Sequence, residues 1–265
     1  MKSMDTVRGG IFLTRIITIA NQKGGVAKTT TAVNLSACLA EQGKKVLLLD
    51  LDPQGNATSG YGINKDKLKY CIYDVLINDV PLQKVILKTE VNNLWIAPAR
   101  IELAGAEIEL VNLDERDKRL AHALNDVRED YEFVIIDCPP SLGLLTLNAL
   151  GAASDILIPI QCEYYALEGL TLLMSTLERV KKGLNPTLNT LGVLLTMFDA
   201  RTNLSIQVVD EVKKYFRNKV FRTIVPRNVR LSEAPSHGKP IVLYDPKSRG
   251  AEVYRDLAEE VLERV

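Results

Sequence analysis

The sequence predicts an α/β fold, a mostly parallel sheet with helices on both faces, and three observations carry that expectation. Short, nearly continuous apolar runs alternate with helix-length stretches, as expected of strands covered on both faces. A glycine- and lysine-rich stretch, "NQKGGVAKTT", joins the first run to the first helix. Acidic residues recur just past the ends of later runs, where parallel α/β sheets hold their ligands.

The elements follow in βα order. "RIITIA" begins at Arg15, and a helix is expected over residues 29–42, closed by Gly43 just past its end. "KVLLLD" ends at Asp50 and leads into "LDPQGN", and "FVIIDCPP" starts at Phe133. "DILIPIQ" starts at Asp155, "LGVLLTMF" at Leu191 and "KVFRTIVP" at Lys219. Trp95 in "NNLWIAPA" reads as a strand-core residue. Residues 15–265 are expected to form one domain. Residues 1–14 are expected to be a disordered extension, whether a tail, a tag remnant or an upstream start.

The chain has 265 residues, 46% of them hydrophobic and 25% charged, enough to bury a sizeable core. Its 33 basic and 33 acidic side chains cancel, so attraction to nucleic acid must come from a local patch. The four cysteines, Cys38, Cys71, Cys138 and Cys162, show no C-x-x-C spacing, and reduced thiols are expected, with Cys38 and Cys138 semi-buried. The only apolar run in the first fifteen residues, "IFL", is too short for a signal peptide or a membrane span. A cytoplasmic protein is the expectation.

"NQKGGVAKTT" departs twice from the usual phosphate-loop pattern G-x-x-x-x-G-K-[ST], with Gln22 at the first glycine and Ala27 at the second. The chemistry survives the departures. Gly24 and Gly25 let backbone N–H groups turn toward phosphates, Lys28 can reach the β- and γ-phosphates, and the Thr29 hydroxyl can ligate Mg²⁺. Gln22 costs little unless its backbone needs glycine, whereas a positive φ at Ala27 would cost about 1 kcal/mol. Asp50 and Asp52 fall just past one strand end and Asp137 at another, where carboxylates orient metal-bound or attacking water. Any one of them could equally cap a turn; three behind one phosphate loop point to phosphoryl transfer.

Together "KGGVAKTT", "DLDPQGNATSG", "IIDCPPSLG", "QCEYYALEGL", "TMFDARTNL" and "PRNVRLSEAPSHGKPI" resemble the ParA/Soj family of chromosome-partitioning ATPases over nearly the whole chain from Ile16. These are P-loop NTPases with a deviant Walker A motif, of the MinD/ParA-like type. The chain departs from the family at Ala27, where glycine is usual, and in its N-terminal extension. The resemblance implies ATP and Mg²⁺ as cofactors, with residues 23–30 (Lys23, Gly24, Gly25, Val26, Ala27, Lys28, Thr29 and Thr30) holding the phosphates. It implies that Lys23 reaches the nucleotide of a partner subunit in an ATP-bound sandwich homodimer, and that Thr30 contacts the α-phosphate. By the same resemblance hydrolysis depends on Lys23, Lys28 and Asp52, while Asp50 and Asp137 support the metal through water. Met197, Pro226 and Asn228 fall where the family builds its adenine pocket. Arg201 and Arg230 match positions that hold double-stranded DNA without sequence preference, and a ParB/Spo0J-type partner is expected to stimulate hydrolysis. A nucleoid-associated location follows from these implications.

Residues 213–230 hold seven basic side chains and no acid, a footprint that could engage phosphates or be only a solvated face. Other classes stay open. A MinD-type membrane ATPase would need a basic amphipathic C-terminal helix, but "AEVYRDLAEEVLERV" sets Val253, Leu257, Val261 and Val265 beside Glu252, Asp256, Glu259, Glu260 and Glu263, which suits core packing better than anionic lipid. An ATP-dependent metabolic enzyme or iron–sulfur reductase would need a substrate pocket or cluster-spaced cysteines. A scaffold with a vestigial loop sits poorly with retained Lys28, Thr29, Asp52 and Asp137. His122 and His237 read as surface or packing residues.

Overall fold

The computed structural model describes residues 14–163 and 168–265, with side chains described for all of these except 168–171. The expected extension therefore lies outside the described residues apart from Thr14, as do residues 164–167 of "QCEYYALEGL". Thr14 is tied down, its hydroxyl donating to the carbonyls of Arg128 and Tyr131.

The strands are β1 (Arg15–Ile19), β2 (Val46–Asp50), β3 (Leu87–Lys88), β4 (Leu94–Ala97), β5 (Phe133–Asp137), β6 (Asp155–Gln161), β7 (Asn189–Phe198) and β8 (Val220–Pro226). They form one eight-stranded sheet in the order β3-β4-β2-β5-β1-β6-β7-β8. All neighbours are parallel except β3 and β4, an antiparallel edge that the apolar runs did not announce. The helices are α1 (Lys28–Glu41), α2 (Asn56–Gly60), α3 (Ile72–Ile77), α4 (Leu103–Glu109), α5 (Arg119–Asn125), α6 (Leu144–Ala152), α7 (Glu168–Gly183), α8 (Asn203–Phe216), α9 (Val229–Glu233), α10 (Ile241–Tyr244) and α11 (Arg249–Arg264).

Side-chain alternation explains the unbroken apolar runs. Along β2, Leu47 and Leu49 join the core beneath α3 to α8, while Val46 and Leu48 join the core shared with α1 and α11. Both faces are dry, so every position is apolar. Helix α1 ends as its sequence requires: Gly43 takes φ +84, its N–H donates to Ala40 O at 2.9 Å, and Lys44 N–H donates to Leu39 O at 3.2 Å. That pair of bonds is a Schellman closure. Trp95 is half-buried on β4, edge-on to Tyr131 with ring centroids 5.5 Å apart.

Three expectations need correction. Cys38 and Cys138 are fully buried, and burial pushes the Cys38 thiol up to about 12 and that of Cys138 well up. In α11 the apolar stripe ends at Val261, because Val265 is 39% exposed at the chain end. Glu260 is only 3% exposed and lies inside, accepting bonds from the Arg222 and Thr223 N–H groups and from Arg264. It pins α11 to β8.

One close approach concerns the loops above the sheet. Gly62 (φ +70) and Gly238 (φ +63) meet backbone to backbone, so a Cβ on Gly238 would stand 2.6 Å from Gly62 Cα.

Candidate nucleotide site

Strand β1 lies between β5 and β6, and successive crossovers leave it in opposite directions, which opens a crevice at its carboxyl end. The phosphate-loop residues fill that crevice and are clamped on both sides. Asn21 Nδ2 donates to Pro159 O on β6 at 2.7 Å, while its Oδ1 accepts from Lys23 N–H at 3.0 Å. On the other side Thr196 Oγ1, on β7, donates to Val26 O at 3.1 Å. Gly25 takes φ +74, and Gln22 has no positive φ, so the first departure from the usual pattern costs no backbone strain. The second does. Ala27 sits in the left-handed region at φ 67, ψ 33, and there accepts the first helical bond from Thr31 N–H at 2.9 Å.

Lys28, 7% exposed, folds back so that Nζ donates to Lys23 O at 3.0 Å, which holds the loop as a closed ring. Burial holds its ammonium below the usual lysine value, against the opposing pull of Asp137, Cys138 and Asp52. Lys23 itself is half-buried at the rim, not fully solvated.

Asp50 and Asp137 are register partners at the ends of β2 and β5, and both are wholly buried. They differ in what surrounds them. Asp50 Oδ2 accepts from Thr58 N–H at 2.8 Å and Thr58 Oγ1 at 2.7 Å, and its Oδ1 accepts from Asp52 N–H at 3.2 Å. Burial raises it to about 6, with those bonds opposing. Neither oxygen of Asp137 has a hydrogen-bond partner. Burial first, and Asp50 second, push Asp137 well above the usual carboxylate range, while Thr29 and Lys28 draw it down. A buried carboxylate with no partner, beside a threonine hydroxyl and a lysine, is an oxygen donor set suited to Mg²⁺. Among the described residues no three His, Cys, Asp or Glu side chains form a cage. That also suits Mg²⁺, which keeps waters and phosphate oxygens rather than an all-protein shell.

Asp52, 7% exposed, opens onto a cavity of about 360 Å³ lined also by Gly24, Gly25, Ala27, Lys28, Thr29, Thr30, Gln54, Asn56, Pro140 and Met197. A second cavity, of about 300 Å³, is lined by Met197, Pro226 and Asn228 with Val225, Arg227, Leu231 and Tyr254, and it shares Ala27, Thr30 and Met197 with the first. The structure thus joins the expected phosphate residues to the expected base-pocket residues in one cleft. Met197 takes φ +52 where the pairing of β7 with β8 slips, a strained backbone at the waist of the cleft. Asn21, Thr58 and Thr196 are functional supports that carry no recognisable motif of their own.

Arg201 and Arg230 stand outside the cleft, past the ends of β7 and β8. Arg201 grips Asp199 in two parallel bonds of 2.9 and 2.7 Å, which hold the Asp199 carboxyl at about 2. Arg230 pairs with Glu233 at 3.0 Å and Asp245 at 3.5 Å. The run that is acid-free in sequence is not acid-free in space: Arg222 meets Glu260 and Glu263, and Arg227 meets Glu163. Among the described residues only Lys213, Lys214, Arg217 and Lys219 of that run lack a carboxylate partner, and Lys219 donates to Thr190 O. His122 is exposed beside Glu115, and His237 stacks on Tyr244 with centroids 4.9 Å apart, so neither approaches the cleft.

The family described as AAA domain matches residues 14–190. The sporulation initiation inhibitor protein Soj of Bacillus subtilis is 64% identical over 247 residues, covering 93% of this chain and 98% of its own. The chromosome partitioning protein ParA of Myxococcus xanthus is 58% identical, covering 97% of this chain and 91% of its own. Among solved structures, cobyrinic acid a,c-diamide synthase from Mycobacterium smegmatis with bound ADP and magnesium superposes with a TM-score of 0.84 at 41% identity, covering 95% of each chain. With the clamped phosphate loop, the carboxylates at the strand ends and the joined cleft in place, the chain belongs to the ParA/Soj family of chromosome-partitioning P-loop ATPases.

Proposed function

We propose that residues 15–265 act as one nucleotide-switched ATPase that holds DNA while ATP is bound and releases it after hydrolysis. The observation that carries this reading is the continuous cleft joining Thr30 and Ala27 to Met197, Pro226 and Asn228. In it the adenine sits against Met197, Pro226 and Asn228, and Thr30 meets the α-phosphate. The backbone of Gly24, Gly25, Val26 and Ala27 wraps the β-phosphate at the start of α1, where the helix adds partial positive charge. Lys28 exchanges its bond to Lys23 O for the β- and γ-phosphate oxygens.

Thr29 holds Mg²⁺ directly, with Asp137 and Asp50 acting through water; the metal supplies positive charge to the phosphate oxygens. Asp52 Oδ1 is engaged by Gln54 N–H, which leaves Oδ2 to align water. That water attacks the γ-phosphorus as the bond to the β–γ bridging oxygen breaks, giving ADP and phosphate. Lys23, at the rim, reaches the phosphates of a second subunit, so ATP links two copies into a sandwich homodimer. The free chain hydrolyses ATP slowly, and a ParB/Spo0J-type partner accelerates it.

The dimer pairs two sets of Arg201 and Arg230, and doubled phosphate contacts strengthen binding by avidity. Such a protein works in the cytoplasm on the nucleoid. No helix among the described residues is long and apolar enough to cross a membrane, and the apolar face of α11 is packed inward.

Binding to random-sequence duplex DNA with Mg²⁺ and ATP, ADP or no nucleotide, across a salt range, tests the proposal. Binding with ATP alone that weakens as salt rises is expected; absence of binding in every state refutes it. The likeness to the mycobacterial structure gives a second reading, an ATP-dependent synthase, which requires hydrolysis to rise with a small carboxylic acid acceptor and not with DNA and partner.

A further inference from the structure

The turn that carries Asp52 is held from outside by one charged side chain. Residues 52–55 read Asp-Pro-Gln-Gly, and they close tightly: Gly55 N–H donates to Asp52 O at 2.8 Å and Gln54 N–H to Asp52 Oδ1 at 2.9 Å. Proline in second place and a left-handed glycine in fourth suit that turn. Lys65, which opens the short turn Lys65–Lys67, reaches back over it. Its Nζ donates to Gln54 O at 2.7 Å and to Gly55 O at 3.4 Å. Gln54 is therefore gripped at both ends of its backbone, by the Asp52 carboxylate at N–H and by the Lys65 ammonium at C=O.

The fit is close. Lys65 is half-buried, and a Cβ on Gly55 would lie 2.9 Å from Lys65 Cδ and 2.9 Å from Ala99 O. Asp66 and Glu102 line the same cavity of about 430 Å³, yet among the described residues Lys65 forms an ion pair with neither. Its ammonium is committed to the two carbonyls of the turn. A charge-assisted bond to a carbonyl is about twice as strong as a neutral one, so this contact is a firm hold on backbone that has few others.

We propose that Lys65 is a positioning residue for ATP hydrolysis: it fixes the turn of residues 52–55 so that Asp52 stays aimed at the attacking water. This rests on the reading of Asp52 given above. Lys65 lines neither of the two cavities of the nucleotide cleft, so its loss acts on orientation and not on nucleotide affinity.

The test is steady-state hydrolysis of Mg²⁺-ATP by the full chain carrying Lys65→Met, Lys65→Arg, Asp52→Ala, or Lys65→Met with Asp52→Ala. Lys65→Met lowers kcat about tenfold to a hundredfold, the range for a catalytic group misplaced from a distance. The KM for ATP stays within about twofold, because nucleotide contacts are untouched. Lys65→Arg reaches the same carbonyls and restores most of the rate, and the double variant is no slower than Asp52→Ala alone. Lys65→Gln, which keeps a donor and loses the charge, takes the place of Lys65→Met if that variant does not fold. A parental kcat in the neutral variants beside a slow Asp52→Ala overturns the role of Lys65 alone, and so does a raised KM at parental kcat. An Asp52→Ala variant at the parental rate overturns both this role and the reading of Asp52.

Discussion

Replacing Ala27 with glycine measures what the altered phosphate loop costs and what it provides. An L-residue in the left-handed region, where Ala27 lies at φ 67 and ψ 33, is strained by about 1–2 kcal/mol. Glycine removes that strain, but it gives the unfolded chain more freedom to lose, about 0.4–1 kcal/mol in the opposite direction. The difference is a net stabilisation of about 0.5 kcal/mol, which raises the melting temperature of a chain this size by about 1–2 °C. Ala27→Val has the opposite effect, since a β-branched residue tolerates positive φ poorly, and it should destabilise by a further 1 kcal/mol or so. Nucleotide binding separates strain from order. Alanine holds the loop in shape before the ligand arrives, so in Ala27→Gly the ligand must supply that ordering and ADP binds about two- to fivefold more weakly. Calorimetric melting of the nucleotide-free protein and titration with a fluorescent ADP analogue read the two effects separately. The reasoning is refuted if Ala27→Gly melts well below the parent, or if Ala27→Val melts with it.

Two further outcomes follow from the charge networks. Arg201→Ala combined with Arg230→Ala should weaken DNA binding and lower the slope of log affinity against log salt by about two, one for each phosphate contact, while ATP-dependent dimerisation persists. An unchanged slope would remove both residues from the DNA surface. Glu260→Ala leaves Arg264 and two backbone N–H groups without their acceptor and should cost about 3 kcal/mol at neutral pH. Burial raises the Glu260 carboxyl, but its bonds outweigh burial and leave it below the usual glutamate value. Its stabilisation is therefore complete above the unfolded value near pH 4.3 and is lost as pH falls through the lower folded value. The gap between parent and variant in urea unfolding should close on acidification, and a constant gap down to about pH 3 would contradict it.

How much of this was legible in the sequence varied with how local the cause was. The central strands were plain because β2, β5 and β6 are dry on both faces, which forces runs such as "VLLLD" and "FVIID". Gly43 marked the end of α1 because only the two residues beside it are needed to close that helix. The antiparallel edge was hidden, since β3 has two residues, both exposed, and no periodicity can form in so short a span. Helices α3 to α5 were hidden for the same reason of length. In the cleft, residues that touch a nucleotide announce themselves by type and spacing, but the clamps do not: Asn21 meets Pro159 and Thr196 meets Val26 from distant parts of the chain. The basic run misled because its counter-ions come from elsewhere, Arg222 from α11 and Arg227 from the end of β6. Charge read along a chain says little about charge on a surface when the fold supplies the opposite sign.

The contact between Gly62 and Gly238 bears on genetics more than on chemistry. No side chain separates the two backbones, so any substitution at either position must force apart the segment that follows α2 and the segment that precedes α10. A mutant isolated there would score as defective in partitioning, although neither residue lines the nucleotide cleft or belongs to the arginine pair. Genetic maps of this protein would draw a hot spot at 62 and 238, and a melting curve beside each activity measurement would show it to be a fault of fit.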